Sequence, residues 1–277
     1  MANWAEQAEI HYAALAGYSD MRRTELAPLL ESYTRVTDQY GVLVCRIILV
    51  LGQVPPKTTL DSMTRDLAAD VFDFLHEART LIQNGMPHLA YPLARRAFES
   101  LCLVVASNQD EAVASKWQSG AEVKFYEVRK VLAAHPLGES EEALKEFYSL
   151  FSEATHPRRG IVSERYLGDG NAFVLGAIGR PELILLADYC IRTLSLWFWF
   201  VAFLRWTYRE ILIQRDADLH RAYHEAAENV KAAKQWLVEQ YNRLLGERND
   251  PGHTVHHQPL YSNKSRRGPP QRGTACH

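Results

Sequence analysis

The segment Leu183-Ile184-Leu185-Leu186-Ala187-Asp188-Tyr189-Cys190-Ile191-Arg192-Thr193-Leu194-Ser195-Leu196-Trp197-Phe198-Trp199-Phe200-Val201-Ala202-Phe203-Leu204-Arg205-Trp206 decides the fold. Apolar helices of this length belong either to a protein core or to a bilayer. The uncharged stretch from Thr193 to Leu204 has only 12 residues, whereas a membrane span needs about 20. Asp188 stands four residues before Arg192, the order in which acid and base pair favourably along a helix. The segment therefore reads as the central core helix of an all-α protein, with no membrane partner. Pro181 and Glu182 open it.

Downstream, from about Asp216 to Leu245, apolar residues recur in a 4-3 pattern: Leu219, Tyr223, Ala226, Val230, Ala233 and Leu237, then polar Gln240 and Leu244. Such a stripe packs on the chain's own bundle or on a second copy. A homodimer through residues 216–245 is the partner this helix suggests. Beyond Asn249 the chain is rich in Pro, Gly, Ser, Arg and His, and residues 247–277 read as a disordered tail.

Upstream, residues 1–53 read as an N-terminal helical hairpin broken around Gly17-Tyr18-Ser19-Asp20. Its second helix ends in Ile47-Ile48-Leu49-Val50-Leu51, followed by Gly52 and Pro55-Pro56. The main helical bundle spans 57–246. Thr59 or Asp61 can cap its first helix, and Gly85 suits the left-handed residue that follows a helix end. Asp110 and Ser140 cap two further helices. Between Ile161 and Ile178 the pattern changes: Tyr166-Leu167-Gly168-Asp169-Gly170-Asn171-Ala172-Phe173-Val174-Leu175 carries an Asp-Gly turn between β-prone stretches. One short β-hairpin insertion is expected there.

The formal net charge of −2 argues against a protein coated in nucleic acid. The four cysteines form no CxxC pair; Cys45, Cys102 and Cys190 lie in apolar helical patterns, where a free thiol behaves as a small hydrophobe. The first residues lack the basic start and apolar core of a secretory signal. Together these predict a cytoplasmic protein. No phosphate-cradling glycine loop, HExxH, Gly-x-Ser-x-Gly or zinc-spaced cysteine cluster is present, and no cofactor is expected.

Two polar constellations stand out. Arg95 and Glu99 are four apart in Leu93-Ala94-Arg95-Arg96-Ala97-Phe98-Glu99-Ser100-Leu101-Cys102 and can meet on one helix face. Glu99 is expected to be buried and paired, because a lone buried carboxylate is costly. The second is the helix end Phe147-Tyr148-Ser149-Leu150-Phe151-Ser152-Glu153-Ala154-Thr155-His156-Pro157, where His156 lies four residues after Ser152 and Pro157 fixes the stop. A histidine there caps the negative end of the helix, or lines a pocket with Arg95 and Glu99.

Taken together, the Arg95-x-x-x-Glu99 helix, the helix from Asp110 to Trp117, and the helix ending Ser152-x-x-x-His156-Pro157 resemble an uncharacterised group of bacterial all-helical proteins with HEPN-like architecture. The resemblance spans roughly Leu60 to Leu212. It implies a helical bundle and brings no activity of its own. HEPN ribonucleases are similar to one another in an Arg-x(4–6)-His motif, and are metal-independent and dimeric. Arg215-Asp216-Ala217-Asp218-Leu219-His220 fits that spacing. The resemblance would make His220 the proton-transfer group and Arg215 the stabiliser of phosphorane charge. Arg248 to His253 and Arg129 to His135 fit the same spacing, so the motif alone discriminates little.

The tail residues His253, His256, His257, Cys276 and His277 lack the packing that preorganises a zinc site, and no metal site is expected. The leading expectation is a cytoplasmic helical interaction protein. The alternatives are a HEPN-type ribonuclease of a defence or toxin system, with RNA not the favoured partner, and a small-ligand-binding helical domain around Arg95, Glu99, Ser152 and His156.

Overall fold

The computed structural model describes residues 4–135, 139–155 and 183–249. They form α1 (Trp4–Gly52), α2 (Thr59–Gln83), α3 (Pro87–Gln109), α4 (Glu111–Gln118), α5 (Phe125–Ala134), α6 (Glu141–Thr155), α7 (Leu183–Thr207), α8 (Arg209–Arg215) and α9 (Leu219–Asn249). The all-α expectation holds, and there is no strand among the described residues. The hairpin expected within 166–175 and the tail from 250 onward lie outside them.

The central helix is α7. Its buried residues, among them Leu186, Tyr189, Cys190, Leu194, Trp197 and Phe200, point to every side. They meet α1, α2, α3 and α9. Among the described residues only α7 is long and apolar enough to cross a membrane, and 61% of its apolar window is buried inside the protein. Arg192 Nε and Nη2 each donate to Asp188 at 2.7 Å, the pairing expected from the spacing.

On α9 the 4-3 stripe Leu219, Tyr223, Ala226, Val230, Ala233 and Leu237 is buried. It is taken up by α7 and α1 of the same chain. This helix continues to Asn249, past the point where the tail was expected to begin.

An N-terminal helical hairpin is not what forms. A single helix of 49 residues runs from Trp4 through Gly17 to Gly52. A glycine inside a helix costs about 1 kcal/mol relative to alanine, and Ala13, Ala14 and Ala16 beside it are the strongest helix formers, so the ladder continues. Pro28 lies within the same helix. From Leu26 onward, Leu30, Tyr33, Val36, Tyr40, Val44, Ile47 and Leu51 are buried at helical spacing. Upstream, Arg22 is the first buried side chain among the described ones, whereas Ile10 is 61% and Tyr12 79% exposed. The described side chains between Glu6 and Ala13 are exposed.

Gly52 and the prolines end α1 as the sequence suggested. Thr58, one residue before the expected cap, accepts from the Asp61 N–H at 3.0 Å. Asp61 accepts from the Lys57 N–H at 2.9 Å, the Tyr208 hydroxyl at 2.8 Å and Arg65 Nε at 3.0 Å. Arg65 Nη1 also donates to the carbonyls of Leu51 and Val54. Burial opposes ionisation of Asp61, but these donors outweigh it and hold the carboxyl below its ordinary range. One carboxylate thus ties the end of α1, the start of α2 and the α7–α8 joint.

Gly85 turns α2 into α3 with φ of 74°. Asp110 caps α4 by accepting from Ala112 N–H at 2.8 Å, and Ser140 caps α6 through Ala143 N–H at 3.1 Å. Helices α4, α5 and α6 all lean on α3, α5 also packs on α6, and α2 lies along α3. Cys102 and Cys190 are buried, as expected of small hydrophobes, but Cys45 is exposed on the outer side of α1.

Candidate functional site

The residues singled out on α3 and α6 come together through an aromatic ring. Arg95 Nε donates to Glu99 Oε1 at 3.0 Å, with side chains 24% and 28% exposed. Glu99 is paired as expected, but half-buried instead of buried. Arg95 Nη2 also donates to the Tyr148 hydroxyl, and its guanidinium lies 4.8 Å from the Tyr148 ring centre. Tyr148 stacks on Phe125 at 4.5 Å, and Phe125 meets Phe98 at 5.6 Å. The arginine is thereby fixed by a salt bridge, a hydrogen bond and a ring face at once.

Tyr148 was overlooked as a site residue, although its spacing signals it. Tyr148, Ser152 and His156 fall at intervals of four and share one face of a continuing helix. Ser152 is half-buried on that face. His156 lies outside the described residues, so its place beside Arg95 and Glu99 stands as an expectation.

Beside this pair opens a cleft of about 670 Å³ between α2, α3, α4, α5 and α6. Leu67, Leu103, Val128 and the rings of Trp117 and Phe125 give it an apolar lining. Four carboxylates, Asp66, Asp70, Glu99 and Glu122, and two cations, Arg96 and Lys124, border it; Asp70 and Glu99 are half-buried and the other four are exposed. Glu99 is matched by Arg95. Asp70 accepts from the Ser100 hydroxyl and faces Arg96 Nε at 3.5 Å. Among the described residues this leaves Asp66 and Glu122 without an ion pair against Lys124 alone.

A second cluster forms where α7, α8 and α9 meet. Arg205 Nη1 donates to His220 Nδ1 at 2.7 Å, and His220 Nε2 lies 3.2 Å from His224 Nε2. Arg205 also rests over the Tyr223 ring at 4.4 Å. Desolvation first, then the positive charge of His224, Arg205 and Arg209, lowers the His220 pKa below its ordinary value. Arg215, the arginine of the spaced motif, is exposed at the end of α8 and does not line the small cavity of which His220 forms part. No hydrogen bond joins Arg215 to His220 among the described residues. The arginines at His220 are Arg205 and Arg209.

Of the other matches to that motif, Arg129 and His135 belong to α5 and its end, and Arg248 to His253 runs beyond the described residues. The tail histidines and Cys276 also lie outside them. Among the described residues, no group of three His, Cys, Asp or Glu side chains could hold a metal ion. The chain matches no protein-family model, no curated protein and no solved structure.

Proposed function

We propose that the protein is a small-ligand-binding helical module whose cleft beside Arg95 and Glu99 receives an amphiphilic organic cation. The observation that carries this reading is the charge balance around a cleft with an apolar wall: two exposed carboxylates without an ion pair among the described residues, Asp66 and Glu122, against one such ammonium, Lys124. A ligand with an aromatic or aliphatic body would cover Leu67, Leu103 and Val128. Its cationic head would find the carboxylates and the faces of Trp117 and Phe125. The Arg95–Glu99–Tyr148 assembly acts as a rigid wall and leaves its own charges matched.

The test is a thermal-shift and tryptophan-fluorescence titration with phenethylamine, tyramine and spermidine against alcohols of matched shape. Amines are expected to raise the Tm and change the emission lost in Trp117→Phe, while the alcohols do neither. The pair Asp66→Asn with Glu122→Gln is expected to remove the preference without unfolding the protein. Amines and alcohols acting alike, or a preference that survives this double change, would refute the reading.

An interaction role, the leading expectation from sequence, draws support from the outward side of α9. Its inner stripe is occupied by α7 and α1, but Val238 and Leu245, seven residues apart, are 41% and 37% exposed on the other side. A homodimer through this helix would use that face. Light scattering would then show a dimer that Val238→Glu with Leu245→Glu converts to monomer; a monomeric wild type removes this second reading.

A further inference from the structure

We infer that the notch between α7, α8 and α9 is a binding site for a phosphate-type oxyanion, held by Arg205 and Arg209 with His220 in its wall. The notch has a volume of about 290 Å³ and is lined by Arg205, Arg209 and His220 together with apolar Leu212 and Ile213. Arg205 comes from the last turn of α7, Arg209 from the first of α8, and both histidines from the first turns of α9. The site is therefore assembled by tertiary packing and not by any single helix end.

Its charge is unbalanced in one direction. The carboxylate in the lining, Asp216, has both oxygens taken by Arg46 Nε and Nη2 from α1. Asp218 is occupied by Arg221 at 2.9 Å on the exposed surface. Neither Arg205 nor Arg209 is in an ion pair among the described residues. Arg205 instead spends one donor on a neutral imidazole and lays its plane on Tyr223, while its Nε is buried without a partner.

The hydrogen bonds fix the tautomers. Arginine has no acceptor to offer, so His220 Nδ1 must accept from Arg205, and the His220 proton resides on Nε2 facing His224. His224 Nε2 in turn accepts from His220, so the side-chain donors left without an acceptor among the described residues are those of Arg205 and Arg209. A tetrahedral oxyanion supplies the missing acceptors: guanidinium forks match its oxygens in pairs, and the start of the long helix α9 adds favourable potential. Leu212 and Ile213 offer an apolar wall beside the charged groups, which suits a phosphomonoester with a small organic group as well as the free ion.

Occupancy also alters protonation. An oxyanion that takes over the donors of Arg205 releases His220 Nδ1, which on protonation becomes a donor to the anion in place of a like-charged neighbour. Binding therefore takes up a proton, and affinity rises as pH falls through the imidazole range, by up to about tenfold per pH unit. Among the described residues the charged and titratable groups around His220 are Arg205 at Nδ1, Arg209 on α8, Asp216 in the turn and His224 one helical turn along, with Tyr223 beside Arg205 and His224.

The experiment is titration of the full chain with sulfate, inorganic phosphate and phenyl phosphate, read by calorimetry and by histidine ring NMR. Sulfate serves for the pH series because its charge is constant across that range. Expected are saturable shifts of the His220 and His224 resonances, proton uptake on binding, and tightening by about threefold to tenfold per unit of falling pH. Tighter binding of phenyl phosphate than of inorganic phosphate would assign the site to esters, and equal binding to the free ion. Arg205→Gln should abolish the response. Because that change also removes packing on Tyr223, exposed Arg209→Gln provides a second variant that keeps the fold and weakens binding. Histidine resonances that stay still, or a response unchanged in Arg209→Gln, would overturn the proposal.

Discussion

Arg46 and Asp216, 170 residues apart, face each other in a bidentate pair: Nε to Oδ2 at 2.9 Å and Nη2 to Oδ1 at 2.5 Å. The pair joins the C-terminal part of α1 to the turn between α8 and α9. The hydrogen bonds and charge of Asp216 favour the ionised guanidinium and raise the Arg46 pKa further. Asp216→Ala strands a half-buried cation, so a loss of about 1–2 kcal/mol in urea unfolding is expected. Unchanged stability would show that the pair is held by solvent as readily as by the protein.

Glu99→Gln keeps shape and removes charge. Arg95 would retain Tyr148 and its ring contact but lose its ionic partner. Since both side chains are about a quarter exposed, the expected cost is only about 1 kcal/mol, seen as a lower Tm. A rise in Tm would mean that the carboxylate is a burden on the fold.

Two buried tyrosines separate packing from hydrogen bonding. The Tyr40 hydroxyl is buried without a hydrogen-bond partner among the described residues, whereas the Tyr33 hydroxyl lies 3.3 Å from Thr193 Oγ1. Burial raises both phenol pKa values. Tyr40→Phe should be neutral or stabilising, while Tyr33→Phe should cost about 1 kcal/mol by chemical denaturation. The reverse order would contradict the assigned contacts.

Acid should weaken the anion-free protein through His220. Its folded pKa lies below the ordinary value of about 6.5 at which the unfolded chain takes up the same proton. The contribution is complete above the unfolded value, falls as pH drops through it, and stops falling beneath the folded one. In chloride buffer, Tm should decline on acidification, and His220→Gln should flatten part of that decline. Identical slopes would remove His220 from the account.

What was legible in the sequence was mostly local. The caps Asp110 and Ser140, the turn at Gly85 and the Asp188–Arg192 pair each depend on residues a few positions apart. The α9 stripe was legible because its period repeats, although periodicity did not say which surface would cover it. Gly17 misled because a glycine's cost is small beside the helix propensity around it. The Arg215–His220 spacing misled for another reason. Asp216 to Asp218 break the helix between them, so spacing no longer implies a common face. Arg205 and Arg209 reach His220 by tertiary packing, which no linear motif encodes.

The length of α1 sets the outline of the molecule. At about 1.5 Å per residue its 49 residues reach roughly 70 Å, against a radius of gyration of about 19 Å for a compact chain of this size. Among the described residues this one helix is longer than a compact body of that size would need. Mechanically α1 is a lever. Pro28, with no N–H to offer the carbonyl of Thr24, lies just inside the packed part of this helix, after buried Arg22 and Leu26, so lateral load on exposed Ile10 or Tyr12 would concentrate bending near that missing hydrogen bond.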